Sequence, residues 1–324
     1  MEIKRNSVLI LLVIGIGIGV IALYKVAVVR KKDQLYTIGI VQTASHPALD
    51  AARDGFIAAI KDVVGDKINF VVRNGQGSIS SIHTIAEQFH AKQDIDAIFA
   101  IATPAAQAVV AVEKIKPVVI AAVTVSPELG INFAEPNVSS VSDMIDVRKE
   151  VDAMKGLLPQ EVKTIGIVYC TAEVNSVAMS QIMVTELERA GYVPLLVGVT
   201  SEGDMEPAIL SAARKVDAFL APTDNVVANA ITLIVDLVNK VHKPLIVSDN
   251  MLVKQGALMA RGIDYYESGK QAGTIALRVL LQHKKPYDLP IVRANNKEIF
   301  VNKKVLDNFG FTISDAMMRD VVFV

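Results

Sequence analysis

The acidic residues that could bind a charged ligand lie in the second half of the chain, and each closely follows an apolar run. They are Glu173, Asp224 and Asp249. The corresponding positions of the first half carry neutral polar residues, namely Ser45, His46, Ser78 and Thr103. Carboxylates opposite hydroxyl and amide donors suit a small molecule that carries both charges, such as an α-amino acid.

The segment that starts at Thr103 has the pattern of a helix start. Thr103 is a suitable N-cap, and the proline after it suits the first helical position. Backbone N–H groups at such a start can bind an anion. We therefore predict that the Thr103 hydroxyl and the amides of Ala105 and Ala106 hold the ligand carboxylate, with Ser78 and Ser45 as further donors.

We predict that Asp224 binds the ammonium group, with Asp249 or Glu173 close by. Asn175 lies in the same loop as Glu173 and is a further candidate contact. The alternative interpretation is that the acids only cap helices, as Asp, Ser and Thr before a helix commonly do. His46 precedes a proline, so it is either a turn residue or a contact for the ligand's side chain.

The sequence offers little that would support catalysis. It contains no G-x-S-x-G elbow, no P-loop, no H-E-x-x-H motif and no paired cysteines. Cys170 ends an apolar run near the candidate loops, but no histidine partner is identifiable and burial in the core is the alternative. We expect neither a cofactor nor a metal site.

Short apolar runs alternate with segments of helical periodicity from Tyr36 onward. The runs are 36–41, 68–73, 96–101, 117–123, 164–169, 193–199, 216–220 and 244–248. Runs of this kind, apolar throughout, are typical of parallel strands covered on both faces. The alternation predicts an α/β fold with doubly wound parallel sheets.

The second half repeats the first. The residues TIGIV at 37–41 recur at 164–168, DAIFA at 96–100 resembles DAFLA at 217–221, and Lys-Pro precedes a strand in both halves. The chain therefore contains two lobes of one design. Since ligands bind beyond the carboxyl ends of parallel strands, the loops named above should face a cleft between the lobes.

Composition excludes some partners. The 324 residues are 52% hydrophobic and 21% charged, with a net charge of −1, so no overall field favours nucleic acid. Residues 8–24 are uncharged and apolar, which predicts a membrane anchor that is not cleaved, with a cleaved signal peptide as the alternative. More positive residues follow this segment than precede it, which by itself favours a cytoplasmic main domain.

Several segments together resemble the ABC transporter substrate-binding family typified by tryptophan- and tyrosine-uptake operons. They are 45–50, 101–107, 173–176, 222–225 and 264–269, and the resemblance covers about 36–311. It implies a type 1 periplasmic-binding-protein fold, a location outside the cytoplasm and a membrane permease as partner. It also implies a first lobe of 36–143 with 256–284, and a second of 144–255 with 285–324, after an anchor of 1–35.

The predicted function is capture of an amino acid, most simply an aromatic one, for an ABC importer. We expect the lobes to close on the ligand about hinges near Asp143, Gly256 and Pro286. Asp143, at a hinge, and Tyr265, near the ligand's side chain, complete the candidate site. The alternatives are a membrane-tethered sensor and an enzyme on a doubly wound fold.

Overall fold

Two parallel-stranded sheets, each covered by helices, form the part of the chain that the computed structural model describes, which is 36–126, 132–293 and 298–324. The predicted membrane segment 8–24 lies outside these residues. None of the described helices is long and apolar enough to cross a membrane. The predicted α/β fold with two doubly wound sheets is confirmed.

The first sheet has six parallel strands in the order β11-β5-β4-β3-β1-β2. Its strands are β1 (Tyr36–Gln42), β2 (Ile68–Asn74), β3 (Ala97–Ile101), β4 (Val118–Val123), β5 (Val138–Ser142) and β11 (Val292–Arg293). Its helices are α1 (Pro47–Val64), α2 (Ile79–Ala91), α3 (Thr103–Val112) and α10 (Tyr265–Gln282). These elements form the first lobe.

The second sheet has seven strands in the order β13-β12-β10-β9-β8-β6-β7, and only the β10–β12 pair is antiparallel. Its strands are β6 (Thr164–Cys170), β7 (Val193–Val199), β8 (Ala218–Ala221), β9 (Leu245–Val247), β10 (Met259–Ala260), β12 (Ile299–Val301) and β13 (Val321–Phe323).

Helices α4 to α9 accompany this sheet, with α11 and α12 near the C-terminus, and together they form the second lobe. Their bounds are α4 (Val147–Leu157), α5 (Val174–Ala190), α6 (Met205–Ala212), α7 (Asn225–Asn229), α8 (Ile231–Lys240), α9 (Asn250–Val253), α11 (Lys303–Phe309) and α12 (Asp315–Met318).

The repeated sequence motifs occupy equivalent places in the two lobes. The side chain of Asp96 accepts a hydrogen bond from the backbone N of Thr37 at 2.8 Å. Asp217 accepts the same bond from the backbone N of Thr164 at 2.9 Å. Each aspartate thus connects the start of its own strand to the first strand of its lobe. This shared contact accounts for the presence of the Asp-Ala motif in both halves of the sequence.

The chain crosses between the lobes at different places from those that the sequence predicted. The first crossing follows β5, at Asp143. The second lies after Ile263 rather than at Gly256, because β10 pairs with β9 and Ile263 bridges to Asp249 of the second lobe. The third follows Arg293 rather than Pro286, because β11 pairs with β5 of the first lobe.

Candidate functional site

A small cavity lies where the carboxyl ends of the two sheets face each other. Its volume is about 20 Å³, roughly the room that an ordered water needs. Six of the predicted site residues line it: His46, Asp143, Asn175, Asp224, Asp249 and Tyr265. No lysine or arginine is among its lining residues. The cavity is therefore acidic.

Asp143 sits at the first crossing, buried and held from both sides. Its Oδ1 accepts a hydrogen bond from the Thr124 hydroxyl at 3.1 Å, and its Oδ2 accepts one from the Tyr265 hydroxyl at 3.3 Å. Burial raises the pKa of Asp143 to about 6, although both hydrogen bonds oppose the rise. These contacts fix the carboxyl group at the hinge side of the cavity.

Asp249 follows β9 and lies near Asp143. Its Oδ1 accepts a hydrogen bond from the backbone N of Met251 at 2.8 Å, which caps the short helix α9. Burial, and then the charge of Asp143, raise the pKa of Asp249 to about 7. Since no cation lines the cavity, this pair of acids would gain from a positively charged ligand group.

Glu173 organises the opposite end of the cavity. Its Oε2 accepts hydrogen bonds from the backbone N of Asn225 at 3.2 Å, from Asn225 Nδ2 at 2.9 Å and from Asn175 Nδ2 at 3.3 Å. Burial, and then the neighbouring charge of Asp224, raise the pKa of Glu173 to about 7. Glu173 thus orients the side-chain amides of Asn175 and Asn225, which both line the cavity. Its Oε2 already accepts three hydrogen bonds.

Asp224 is a helix cap whose two oxygens already have protein partners. Oδ1 accepts from the backbone N of Val227 at 2.9 Å, and Oδ2 accepts from the backbone N of Cys170 at 2.6 Å and from the Ser176 hydroxyl. Burial raises the pKa of Asp224. The capping alternative describes these contacts, and Asp224 accepts from three donors where Asp249 accepts from Met251.

His46 makes a contact between the lobes. It occupies the N-cap position of α1 in the first lobe, and its Nε2 lies 3.4 Å from Asn225 Oδ1 in the second. The residue is only 6% exposed, and burial lowers the pKa of its imidazole. His46 is therefore a buried, neutral side chain of the site rather than an exposed turn residue.

Three buried polar atoms around the cavity lack a hydrogen-bond partner among the described residues: His46 Nδ1, Asn175 Oδ1 and Thr223 Oγ1. All three residues line the cavity. Leaving a buried polar group unpaired costs about 1–3 kcal/mol. All three atoms therefore have hydrogen-bonding capacity that a polar ligand or an ordered water could use.

The start of α3 is not available to an anion, contrary to the sequence-based prediction. The N-cap is Ala102 rather than Thr103. The amide of Ala105 donates to Thr43 Oγ1 at 3.1 Å, and that of Ala106 donates to Ala102 O at 3.0 Å. Thr103 Oγ1 accepts from the backbone N of Thr124 at 3.3 Å. Both amides are therefore occupied, and Thr103, whose hydroxyl keeps a hydrogen to donate, does not line the cavity.

The two predicted serine donors are also engaged elsewhere. The Ser78 hydroxyl caps α2 by accepting from the backbone N of Ser81 at 3.3 Å. The exposed Ser45 hydroxyl donates to the carboxylate of Asp50 at 3.0 Å. Neither serine lines the cavity.

Some lining residues were not predicted from the sequence. Thr223 and Asn225 flank Asp224, so their position after a strand was the available signal. Leu49, Leu252 and Ala122 supply apolar surface, and Ala122 has a positive φ of 55°, which is uncommon for a residue with a side chain. An apolar residue near a strand end gives no sequence signal that separates it from the core.

Two further kinds of site were considered from the sequence, a cysteine nucleophile and a metal site. Cys170 is fully buried, its Sγ lies 3.8 Å from Thr200 O, and burial raises the pKa of its thiol. A thiol of this kind is a poor nucleophile at neutral pH. The part of the chain that the structure describes contains no group of histidine, cysteine and acidic residues suited to a metal ion.

Comparison with known proteins gives consistent matches. Residues 37–322 match the family described as ABC transporter substrate binding protein. A protein of Clostridioides difficile named tyrosine-binding protein is 34% identical over 276 residues, which is 83% of this chain and 79% of that protein. These matches cover nearly all of the described residues.

Two solved structures bear on the arrangement of the lobes. The ABC domain of Streptococcus pneumoniae in complex with L-Trp is 29% identical, covers 89% of this chain and 99% of its own, and has a TM-score of 0.83. The ligand-free, open structure of a substrate-binding protein with adhesive properties from Clostridium difficile has the same coverage and 30% identity, but a TM-score of 0.65. At matched coverage and nearly equal identity, this chain superposes better on the complex than on the ligand-free, open structure.

Proposed function

Since the chain belongs to the ABC transporter substrate binding protein family, we propose that it captures an aromatic α-amino acid between its lobes and delivers it to a membrane permease for import. The family and the fold are those of extracytoplasmic substrate-binding proteins and not of enzymes. The observation that carries the choice of ligand is the cavity, where acids without a basic neighbour and unpaired polar atoms converge.

The ammonium group of the ligand binds Asp143 and Asp249. Both carboxyls are buried, they lie close enough for the charge of Asp143 to raise the pKa of Asp249, and no basic side chain lines the cavity. An ammonium in this place favours the ionised form of both acids, and each charge-assisted hydrogen bond contributes about 1.5–3 kcal/mol.

The carboxylate of the ligand has the Thr223 hydroxyl as its side-chain donor. This hydroxyl is buried, lines the cavity and has no protein partner among the described residues. Asn175 Oδ1, which also lacks a partner there, accepts from an ordered water. This assignment replaces the helix start at Thr103.

The side chain of the ligand is aromatic in this proposal for two reasons. The cavity combines its polar groups with the apolar side chains of Ala48, Leu49 and Leu252. One relative is named as tyrosine-binding, and a structural neighbour was solved with L-Trp. Separation of the lobes provides the entry, because the cavity is lined by residues of both lobes.

A thermal-shift screen of the purified protein against the twenty common L-amino acids, simple sugars and anionic solutes tests the proposal, followed by calorimetric titration of the best ligands. A ligand that binds only the native state raises the Tm. At a free concentration of a hundred times its Kd, the ligand stabilises the native state by about 2.7 kcal/mol. We expect the aromatic amino acids to give the largest shifts. Shifts produced only by sugars or by anionic solutes would refute the proposed ligand class.

A further inference from the structure

A chain of three residues fixes the orientation of the Asn225 amide. Glu173 Oε2 accepts from the backbone N of Asn225, a group that can only donate. Asn225 Nδ2 lies 2.9 Å from the same oxygen and donates to it. The amide oxygen of Asn225 must then face away from Glu173, and it faces His46 Nε2 at 3.4 Å.

This orientation determines which nitrogen of His46 carries hydrogen. An amide oxygen only accepts, so His46 Nε2 must be the protonated nitrogen in that contact. Burial of His46 lowers the pKa of its imidazole, so the ring is neutral near pH 7. In a neutral ring protonated at Nε2, Nδ1 is a hydrogen-bond acceptor.

The Nδ1 atom is buried, has no partner among the described residues and belongs to a side chain that lines the cavity. We propose that it accepts a hydrogen bond from a donor on the ligand's aromatic side chain, a phenol O–H or an indole N–H, and so makes His46 a specificity-determining residue. This inference rests on the proposed function, since it assumes an aromatic amino acid in the cavity.

The position of His46 in the cleft favours a side-chain donor over the ammonium. His46 and Asp143 follow β1 and β5, which lie three strand spacings apart in the first sheet, about 14 Å. Glu173 and Asp249 follow β6 and β9, two spacings apart in the second sheet, about 10 Å. With the ammonium at Asp143 and Asp249, the opposite end of the cavity receives the side chain.

The carboxylate of the ligand is excluded as the partner, because two acceptors repel each other. A site built to bind a ligand O–H or N–H also rejects an analogue that lacks it, since the buried acceptor then stays unpaired. L-phenylalanine has the ring of L-tyrosine without the hydroxyl. We therefore expect the protein to bind L-tyrosine or L-tryptophan roughly tenfold or more tightly than L-phenylalanine.

Calorimetric titration of the full-length protein with these three amino acids tests the inference. In His46→Leu the preference over L-phenylalanine should fall to about twofold or less, because the acceptor is gone. His83→Leu makes the same replacement on the exposed face of α2 and should leave the preference unchanged. A His46→Leu variant that binds and keeps the full preference, or a wild-type protein without one, would overturn the role of His46.

A second measurement does not depend on a variant that folds. Nitrogen NMR of the unliganded protein should show His46 as the neutral tautomer with hydrogen on Nε2, and its Nδ1 resonance should shift when L-tyrosine or L-tryptophan binds. Hydrogen on Nδ1 instead would overturn the inference. Absence of binding by every aromatic amino acid would instead overturn the proposed function, and this inference with it.

Discussion

Asp249 and Asp224 hold similar positions, since each follows a strand of the second sheet and caps a helix. Their carboxyl groups differ in how many hydrogen bonds they already accept from the protein. Asp224 accepts hydrogen bonds from Val227, Cys170 and Ser176. Asp249 accepts one from Met251 and otherwise faces an acid across the cleft. At the scale of single residues, this difference is our reason for proposing that Asp249, and not Asp224, binds the ammonium.

We predict that Asp249→Asn lowers the affinity for the amino acid roughly tenfold or more, because the charge that holds the ammonium is lost. Asparagine keeps an oxygen that can cap α9, so the Tm of the unliganded protein should change little. Calorimetric titration and thermal melting of the same variant measure both quantities.

The matched variant Asp224→Asn should lose stability rather than affinity. Its amide nitrogen would face donors at Cys170 or Ser176, so we expect the free energy of unfolding to fall by about 1–3 kcal/mol while affinity changes less than in Asp249→Asn. If Asp224→Asn is the variant that loses binding with its Tm intact, the ammonium belongs at Asp224.

Helix α4 and strand β9 meet through a buried acid that has no role in the proposed site. Glu150 is 1% exposed, its Oε1 accepts from the Ser248 hydroxyl at 2.9 Å, and its Oε2 has no partner among the described residues. Burial raises the pKa of Glu150 to about 8. At the scale of elements, the burial of this carboxyl between α4 and the end of β9 makes stability depend on pH.

The folded protein keeps the Glu150 proton up to about pH 8, whereas the unfolded chain loses it near pH 4.5. Its stability contribution is therefore complete below pH 4.5 and decreases as the pH rises to about 8. Glu150→Gln cannot ionise and keeps an acceptor for Ser248. We expect the Tm of the variant relative to wild type to rise from pH 5 to pH 8; parallel melting curves over that range would contradict the assignment.

Helices α1 and α10 pack backbone against backbone in the first lobe. A Cβ atom at Gly269 would lie 2.0 Å from Ala52 O, and one at Gly55 would lie 2.1 Å from Tyr266 O. No side chain fits in such a contact without moving the helices. This packing attaches α10, and with it Tyr265 at its first turn, to the first lobe.

Gly269→Ala should therefore lower the free energy of unfolding by about 1–3 kcal/mol or more, as overpacking does. Gly156→Ala in α4 is the control, because its added Cβ would find Met317 Sδ at 3.5 Å, an ordinary contact, and alanine favours a helix by about 0.5–1 kcal/mol. Denaturant unfolding of both variants measures the difference, and equal effects would refute the close packing.

At the scale of the whole molecule, carboxyl groups of both lobes line one buried cavity. Burial raises the pKa of Asp143 to about 6 and that of Asp249 to about 7, so in the lobe closure that we propose their ionised forms oppose the closed state. Protonation or a ligand ammonium removes this opposition. A ligand can shift the equilibrium only by such differential contacts.

Small-angle scattering should accordingly show the unliganded protein to be more expanded at pH 8 than at pH 5, and more compact at pH 8 once an aromatic amino acid saturates it. In Asp249→Asn the dependence of the unliganded radius on pH should be weaker. A radius that is the same with and without a saturating ligand at pH 8 would contradict lobe closure.

The sequence by itself determined the two-lobed α/β fold and the edges of the sheets where the site lies. Apolar runs and their repetition are local patterns, and parallel strands direct their carboxyl ends to one edge. It did not predict β5, because the sequence Val-Ser-Ser-Val-Ser lacks an apolar run; the strand forms because it pairs with β4 and β11 in the first sheet.

Only the tertiary structure decided which strand-end residues face the cleft with unused hydrogen-bonding capacity. Thr103, Asp224 and Asp249 all look like helix caps in the sequence. Their difference depends on donors from distant strands, such as Thr124 and Cys170. Pairing over such long chain distances leaves no local pattern, so neither the occupied amides of α3 nor the contact between His46 and Asn225 could be predicted.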